Sequence, residues 1–334
     1  MSQGIKKVKA VGLISGGLDS LIAAKVLQDQ GIDVIGVTFS TPFWDCSKAV
    51  RIGEKAGIPM KVLDISEEHF RVVKSPVYGY GANMNPCIDC HALMIRKAGE
   101  VMIKEGAEFV FTGEVLGQRP MSQRRDTLKA VEKLSGYEGK ILRPLSARLL
   151  PATEPERLGL VDRSRLLAIS GRGRKEQLRL AEHYSIKEYD TPGGGCLLTK
   201  EGYSKKLKTL LHLIPNAGVR HAELIKHGRF FVVGGRYCFL VGRHSSDNSI
   251  LSALAGLSDV LFYCEGIPGP VGLLLNACND IREDVIEESA SIIASLSDAD
   301  KGSSIIILLK CGNKVRKTEV TVVSRNQFND RFIK

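Results

Sequence analysis

The feature that most constrains the fold is an apolar run, residues 8–14, which ends in a Ser-Gly-Gly turn and leads at once into a helical pattern. An apolar run bounded by glycines predicts a buried strand, and the spacing after it predicts a helix closed by Gly31. The alternation repeats, with strands predicted at 34–39, 61–64 and 109–112 and helices predicted at 18–30, 45–56, 90–105 and 122–134. We therefore predict an α/β fold, a doubly wound parallel sheet with helices on both faces, whose ligands bind at the carboxyl ends of the strands.

The alternation weakens after Thr199, and the chain becomes rich in short apolar strands. We predict strands at 230–233, 237–241, 260–263, 271–275, 304–310 and 315–323, with helices near 207–214 and 280–296. This pattern is typical of a smaller α+β domain. We place the boundary between residues 199 and 214, and assign 1–203 to the first domain and 204–334 to the second.

The composition of the chain limits the classes of binding partner that we expect. The chain has 334 residues, of which 43% are hydrophobic and 25% charged, and no apolar run approaches the roughly 18 residues of a membrane helix. It shows no secretory signal pattern, so we expect a cytoplasmic protein without a membrane partner. The net charge of +10 favours a polyanionic partner such as RNA, although solubility alone would also explain it. The oligomeric state stays open, with a homodimer as one option.

The glycine loop, residues 15–20, has the sequence Ser-Gly-Gly-Leu-Asp-Ser and lies where phosphate chemistry would need it. Glycines bring backbone N–H groups close to an anion, and the helix start adds the positive end of its dipole. Asp19 either caps the helix or helps hold a Mg²⁺ ion. The residues predicted to hold the pyrophosphate are Ser15, Gly16, Gly17, Asp19 and Ser20. The alternative is a tight turn without a ligand.

Three cysteines form a second candidate site. Cys87 and Cys90 make a C-x-x-C at the start of a predicted helix, which favours thiolates, and Cys196 follows a glycine run at 193–195. Four interpretations fit the spacing: a zinc site, a redox dithiol, catalytic cysteines alternating between persulfide and disulfide, or a [4Fe-4S] cluster with one open iron. Of the other cysteines, Cys46 is ambiguous. We interpret the remaining four as core residues: Cys238, Cys264, Cys278 and Cys311.

A basic segment, residues 163–179, precedes the third cysteine of this triad and carries six cations against one acidic residue. Such a segment suits contacts with phosphates, but it equally fits a solvated helix face. The candidate RNA-binding residues within it are Arg172, Arg174 and Lys175.

Several of these motifs resemble one superfamily. The glycine loop resembles the signature of the PP-loop ATP pyrophosphatases, and residues 112–123 and 142–145 look like segments of tRNA 4-thiouridine synthetase. The cysteine triad is similar to the cluster-binding triad of iron–sulfur-dependent tRNA thiolases. The resemblance implies a Rossmann-like, adenine nucleotide alpha hydrolase-like fold, ATP with Mg²⁺, and a [4Fe-4S] cluster on the three cysteines. It also implies nucleotide contacts at Phe39, Gly113 and Gln118.

The same resemblance implies a reaction. A uridine carbonyl oxygen in tRNA would be adenylated with release of pyrophosphate, and sulfur would then displace AMP. The sulfur would come from a cluster-bound hydrosulfide or a cysteine persulfide, supplied by inorganic sulfide or a cysteine desulfurase. The catalytic residues would be Asp19, Cys87, Cys90 and Cys196. The rivals are an amide or lysidine-type ligase with a zinc-bound triad, an RNA-binding protein regulated by ATP, and a sulfurtransferase acting on a small molecule.

The second domain carries its own resemblance. Residues 240–248 and 267–270 look like the NFACT-R domain, a proposed RNA-binding module. The resemblance implies that Arg243 and Asn248 face RNA. The alternative is a Gly-Arg turn followed by a polar loop in an accessory domain.

Overall fold

The computed structural model describes residues 7–119, 122–190, 195–278 and 281–333. The chain divides into two compact units, Met1–Leu197 and Leu198–Lys334, whereas the sequence analysis divides it between residues 203 and 204. None of the described helices is both long and apolar enough to cross a membrane.

The first unit is built on a parallel sheet of five strands in the order β3-β2-β1-β4-β5. The strands are β1 (Lys9–Leu13), β2 (Asp33–Ser40), β3 (Met60–Asp64), β4 (Phe109–Thr112) and β5 (Ile141–Leu142). The helices are α1 (Leu18–Gln28), α2 (Ser47–Lys55), α3 (Ser66–Lys74), α4 (Cys87–Glu105), α5 (Arg125–Ser135), α6 (Glu154–Arg157) and α7 (Lys175–His183). The predicted Rossmann-like fold class is confirmed.

The strand order creates a crevice next to β1. The order in which the chain adds strands to the sheet reverses there, because β2 lies on one side of β1 and β4 on the other. The strands themselves all remain parallel. Segments leaving β1 and β4 therefore diverge, and ligands of such sheets bind in the resulting crevice. The apolar face of α1, including Leu21 and Ile22, packs against Phe109 and Phe111 of β4 and fixes the walls of this crevice.

The second unit is an antiparallel sheet of seven strands in the order β11-β10-β8-β9-β7-β6-β12. The strands are β6 (Arg229–Val233), β7 (Tyr237–Val241), β8 (Val260–Cys264), β9 (Gly272–Leu274), β10 (Ser304–Cys311), β11 (Lys314–Thr321) and β12 (Phe332–Ile333). The helices are α8 (Glu201–Leu213), α9 (Val219–Leu224), α10 (Ser245–Ala253) and α11 (Glu283–Ser295). Val285, Ile286 and Ala290 of α11 pack on this sheet and form the core.

The structure contains helices that the sequence analysis does not predict, among them α3 and α10. The polar loop, which the sequence analysis gives as the alternative to an RNA-facing segment, is wrong: the stretch beginning at Ser245 forms α10, because Asp247 and Asn248 anchor it to neighbouring backbone. The Asp247 carboxylate accepts the N–H groups of Gly228 and Arg243, both at 3.1 Å. Helix α3 was not predicted at all.

Two cysteines of the second unit also differ from expectation. Cys278 and Cys311 were expected to be core residues without a disulfide. Both pack against the core, and their Cα atoms lie 5.8 Å apart, a separation that suits a disulfide. The two thiols are neighbours because the end of β10 meets the segment that follows β9.

Candidate active site

The glycine loop turns tightly between β1 and α1. Gly16 has φ +76°, and a Cβ there would lie 3.0 Å from the Cα of Ala49, so glycine is required for both reasons. Gly17 is the N-cap of α1, and no side chain among the described residues caps it. The N–H groups of the first turn are therefore open to an anion, as the sequence predicts.

The two serines of the loop differ in what they can still do. Ser20 is buried, and its hydroxyl donates to the carbonyl of Gly17 at 2.8 Å. Ser15 is exposed, and its Oγ accepts a long bond, 3.4 Å, from the N–H of Gly17. Ser15 thus keeps its proton for an incoming anion, whereas Ser20 would have to give up an internal bond.

Asp19 and Gln118 lie together, although 99 positions separate them. The Nε2 group of Gln118 donates to Oδ2 of Asp19 at 3.0 Å. The other oxygens, Oδ1 of Asp19 and Oε1 of Gln118, are buried without a hydrogen-bond partner in the described part of the chain. Two such oxygens are ligands of the kind that Mg²⁺ prefers, so the pair fits the predicted magnesium.

Gly113 brings the segment after β4 against the first turn of α1. A Cβ on Gly113 would lie 2.5 Å from the backbone nitrogen of Ser20 and 2.7 Å from the carbonyl carbon of Asp19. Only glycine fits this contact, which places Gln118 next to Asp19. Phe39 has its side chain in the core and its carbonyl bonded to Nε1 of Trp44 at 2.9 Å, so a nucleotide contact there stays a prediction.

A buried carboxylate joins the segment after β4 to the cysteine helix. Glu114 accepts from Nε of Arg143 at 2.9 Å, from Nδ1 of His91 at 2.9 Å, and from the hydroxyl of Thr112 at 3.0 Å. Arg143 also pairs with Glu132. Burial disfavours the charged form of Glu114, but Arg143 and His91 outweigh it and hold the pKa of the carboxyl at about 2. The charged carboxylate thus fixes α4 beside the nucleotide crevice.

The three predicted cysteines are close enough to influence one another. Cys87 begins α4, and Cys90 lies one turn later in a buried position. Burial raises the pKa of the Cys90 thiol well above its usual value, and Cys196 and Cys87 raise it further. Cys196 is held near this helix because the N–H of Leu197 donates to the carbonyl of Phe43 at 2.9 Å. The expectation that the helix start favours thiolates is therefore wrong for Cys90, since burial dominates.

His69 contacts this cysteine cluster and was missed. Its Nε2 lies 2.7 Å from Sγ of Cys90, and its ring packs against Phe43 and Trp44, with centroids 5.2 and 5.0 Å away. Burial lowers the pKa of His69 to about 4, so the ring is neutral. The sequence offered no signal for it, because a lone histidine on an unrecognised helix has no motif.

The side chains around the cysteines do not form a metal-binding site within the described part of the chain. Among residues 7–119, 122–190, 195–278 and 281–333, no three His, Cys, Asp or Glu side chains are arranged to hold a metal ion. Most of the glycine run before Cys196 lies outside the described residues. The cluster therefore stays a prediction: Cys87, Cys90 and Cys196 are reduced thiols, and Cys90 among them is buried.

The basic segment lies beside the crevice. The N–H of Gly171 donates to the carbonyl of Leu116 at 2.8 Å, so the chain passes the segment that follows β4. Three of its six cations have partners within the protein. Arg163 pairs with the carboxylate of Glu156, Arg179 pairs with that of Glu176, and Arg165 donates to the backbone carbonyl of Asp29. The other three make no side-chain hydrogen bond or ion pair with any described residue, and they are the predicted Arg172, Arg174 and Lys175.

The two RNA-facing residues predicted in the second unit make structural contacts. Arg243 is exposed, and its Nη2 donates to the carbonyl of Gly228 at 2.6 Å. The amide oxygen of Asn248 accepts the N–H of Val271 at 3.0 Å. Arg243 keeps further donors for RNA, and for both residues an RNA contact stays a prediction.

Known proteins match both units. Residues 5–148 match the family described as thiamine biosynthesis protein (ThiI), and residues 228–333 match the NFACT protein RNA binding domain. A protein from Clostridium botulinum named tRNA-specific 2-thiouridylase MnmA 2 is 30% identical over 360 residues, covering 95% of this chain and 90% of that protein.

Other likenesses are more partial. The tRNA-specific 2-thiouridylase MnmA of Carboxydothermus hydrogenoformans is 27% identical over 269 residues, covering 72% of this chain and 65% of that protein. The chain thus spans just under two thirds of that relative. A crystal structure of a 4-thiouridine synthetase–RNA complex with bound ATP is 19% identical and covers 63% of this chain and 52% of that one, with a TM-score of 0.38, too low to support a structural argument.

We expect Gly113→Ala to destabilise the first unit by about 2 kcal/mol, because the new methyl group would push against the backbone of α1. Urea unfolding followed by the fluorescence of Trp44, the single tryptophan, measures this unit. Gly173→Ala is the matched control, since its Cβ would meet nothing within 4 Å and its φ is ordinary. Equal stability of the two variants would contradict the close contact.

We expect Glu114→Gln to destabilise the first unit by about 3 kcal/mol at pH 7, because it removes one of the two carboxylates that compensate buried Arg143. The pKa of Glu114 is lowered on folding, so its contribution is complete above the unfolded value of about 4.5 and is lost as pH falls towards about 2. Unfolding free energies measured from pH 7 to pH 3 should therefore converge for wild type and variant. A difference that is independent of pH would contradict this charge assignment.

Proposed function

The chain belongs to the PP-loop tRNA thiolation enzymes, and we propose that it uses ATP to replace a carbonyl oxygen of a tRNA uridine with sulfur. The observation that carries the proposal is the bond between Glu114 and His91. It fixes the helix that bears Cys87 and Cys90 to the segment that lines the ATP crevice, so nucleotide and sulfur chemistry share one site.

The first half of the reaction activates the base. The uridine carbonyl oxygen attacks the α-phosphorus of ATP, and pyrophosphate leaves. The open N–H groups at the start of α1, with Ser15, would hold the pyrophosphate. Asp19 and Gln118 would hold the Mg²⁺ ion that neutralises it.

The second half delivers sulfur. A sulfur nucleophile attacks the activated ring carbon, and AMP leaves as a stable anion. The candidate carriers are Cys87, Cys90 and Cys196, either as a persulfide or as ligands of a [4Fe-4S] cluster. Such a cluster, when bound by three cysteines, would leave one iron free to bind sulfide. We propose inorganic sulfide as the source for the cluster route. For the persulfide route we propose a cysteine desulfurase, which supplies sulfur already at the sulfane level; a second cysteine of the triad would then break the S–S bond, leaving a disulfide that a thiol reductant restores.

The partner follows from charge and from the second unit. The net charge of +10 and the unpaired cations at 172–175 would attract RNA phosphates near the crevice. The match of residues 228–333 to an RNA-binding domain supports a second contact with tRNA through Arg243 and Asn248.

Purified protein should convert uridine to thiouridine when incubated without oxygen with ATP, Mg²⁺, sulfide and tRNA from a deletion strain. Asp19→Asn should lower pyrophosphate release roughly 100-fold, because the magnesium ligand is lost. Replacing Cys87, Cys90 or Cys196 by serine should abolish thiouridine while pyrophosphate release persists. Mass spectrometry of nucleosides and a pyrophosphate assay measure the two halves separately.

Two controls match these variants. Asp126→Asn removes an exposed carboxylate from the first turn of another helix, α5, and Cys264→Ser removes a thiol of the second unit. Both should keep full activity. Pyrophosphate release without thiouridine in any tRNA, by protein whose iron and sulfide content has been verified, would reject thiolation in favour of a ligase.

Arg172→Ala should weaken tRNA binding and reduce the slope of log K against log salt by about 0.7 to 0.9, the value for one lost phosphate contact. Arg179→Ala should change neither quantity, because its guanidinium already pairs with Glu176. Filter binding at several salt concentrations measures both variants. If the two behave alike, the segment contributes only general charge.

A further inference from the structure

The loop between α3 and α4, residues 75–86, exposes aromatic side chains next to the cysteines. Tyr78 is 48% exposed and Tyr80 is 42% exposed, and no other Phe, Trp or Tyr side chain among the described residues is as exposed. The hydroxyl of Tyr80 donates to the carbonyl of Val73 at 2.7 Å. Tyr78 makes no side-chain hydrogen bond or ring contact with a described residue, so its ring is free.

This exposed loop is held to the cysteine helix by one buried carboxylate. Asp89 lies between Cys87 and Cys90 and is only 4% exposed. Its Oδ1 accepts the N–H of Val77 at 2.6 Å, and its Oδ2 accepts the N–H of Tyr78 at 3.1 Å. The backbone of Tyr78 is therefore fixed to the helical turn that presents the two thiols.

The other end of the loop has a second tie. Asn85 donates through Nδ2 to the sulfur of Cys87 at 3.2 Å, and its Oδ1 accepts the N–H of Asn83 at 3.1 Å. The carbonyl of Asn85 accepts the N–H of Gly81 at 3.0 Å. The loop is thus anchored on both sides of its aromatic tip.

The surroundings favour a nucleic acid over a protein as the occupant. Residues 75–86 contain no acidic side chain, and the exposed Arg71 and Lys74 lie in the last turn of α3, just before the loop. A uridine that reacts at its ring must leave the base stack, and the stacking it loses is replaced by a flat aromatic side chain. An exposed tyrosine next to cations supplies both the ring face and the phosphate contact.

We propose that Tyr78 is a stacking platform for an unstacked base of the RNA substrate, next to the cysteines, and that Asp89 is the positioning residue that holds this platform. The inference rests on the proposed function. It adds to that function a residue that positions the substrate by binding the flat face of a base, independently of the nucleotide crevice.

Thiolation kinetics with tRNA and inorganic sulfide test the platform. Tyr78→Ala and Tyr78→Leu should each lower kcat/KM about 10-fold or more, since neither offers a flat ring. Tyr78→Phe should stay within twofold of wild type, because it keeps the ring. Ile103→Ala is the control. Ile103 is 70% exposed on α4, the helix that begins at Cys87, and it lies about 24 Å along that helix from Cys87.

Photocross-linking gives a readout that does not need activity. Transcripts partly substituted with 5-iodouridine should cross-link to Tyr78 on irradiation, as mapped by peptide mass spectrometry. The cross-link should persist in Tyr78→Phe, vanish in Tyr78→Ala and move to other residues in Asp89→Asn.

The outcomes separate the two proposals. A wild-type protein that makes no thiouridine but still cross-links at Tyr78 would refute thiolation and keep the platform. Normal kcat/KM in Tyr78→Ala, with cross-links elsewhere, would overturn the platform alone. A defect seen only when a protein donor replaces sulfide would also overturn it, because the loop would then dock that protein.

Discussion

The charged, buried Glu114 is the interaction on which the site depends. It follows β4 by two residues, and it binds Arg143 from the segment after β5 and His91 from α4. A charge without a partner in this position would cost several kcal/mol, so the three segments must come together for the fold to be stable. The same requirement holds α4, the helix that begins at Cys87, beside the crevice.

Local patterns predict the parts of the fold that local sequence determines. Strands β1, β2 and β4 are apolar runs closed by glycine or polar residues, and their predicted bounds differ from the structure by at most one residue. Helix α10 fails this reasoning, because Ser245–Ala253 begins with polar residues whose partners, such as Gly228 and Val271, are distant in sequence. Helix α3 fails because its apolar face is short and packs on Phe43, which no periodicity reveals.

The candidate site, like the fold, has parts that local sequence predicts and parts that depend on contacts between distant segments. Motifs identify Asp19, Gly113 and Gln118 one by one, but the 3.0 Å contact between Asp19 and Gln118 exists because β1 and β4 are neighbours in the sheet. Glu114 lay within a recognised motif without an assigned role, since only the folded chain shows that three partners converge on it. In the basic segment the fold instead narrows the candidates for RNA binding. Three of its six cations already have partners within the protein, which leaves the three at 172–175.

The three cysteines are not equivalent, which limits how sulfur can be handled. Cys90 is buried against the neutral ring of His69, and the neighbouring cysteines disfavour its thiolate further. A neutral imidazole cannot compensate a buried thiolate, so Cys90 gains charge only when something positive binds beside it. Cys87 is half-buried at the first position of α4, where the helix dipole acts and Asn85 donates to its sulfur. The two cysteines of the C-x-x-C therefore differ in burial and in hydrogen-bond partner, since Cys90 faces a buried neutral imidazole and Cys87 faces an amide N–H at the helix start.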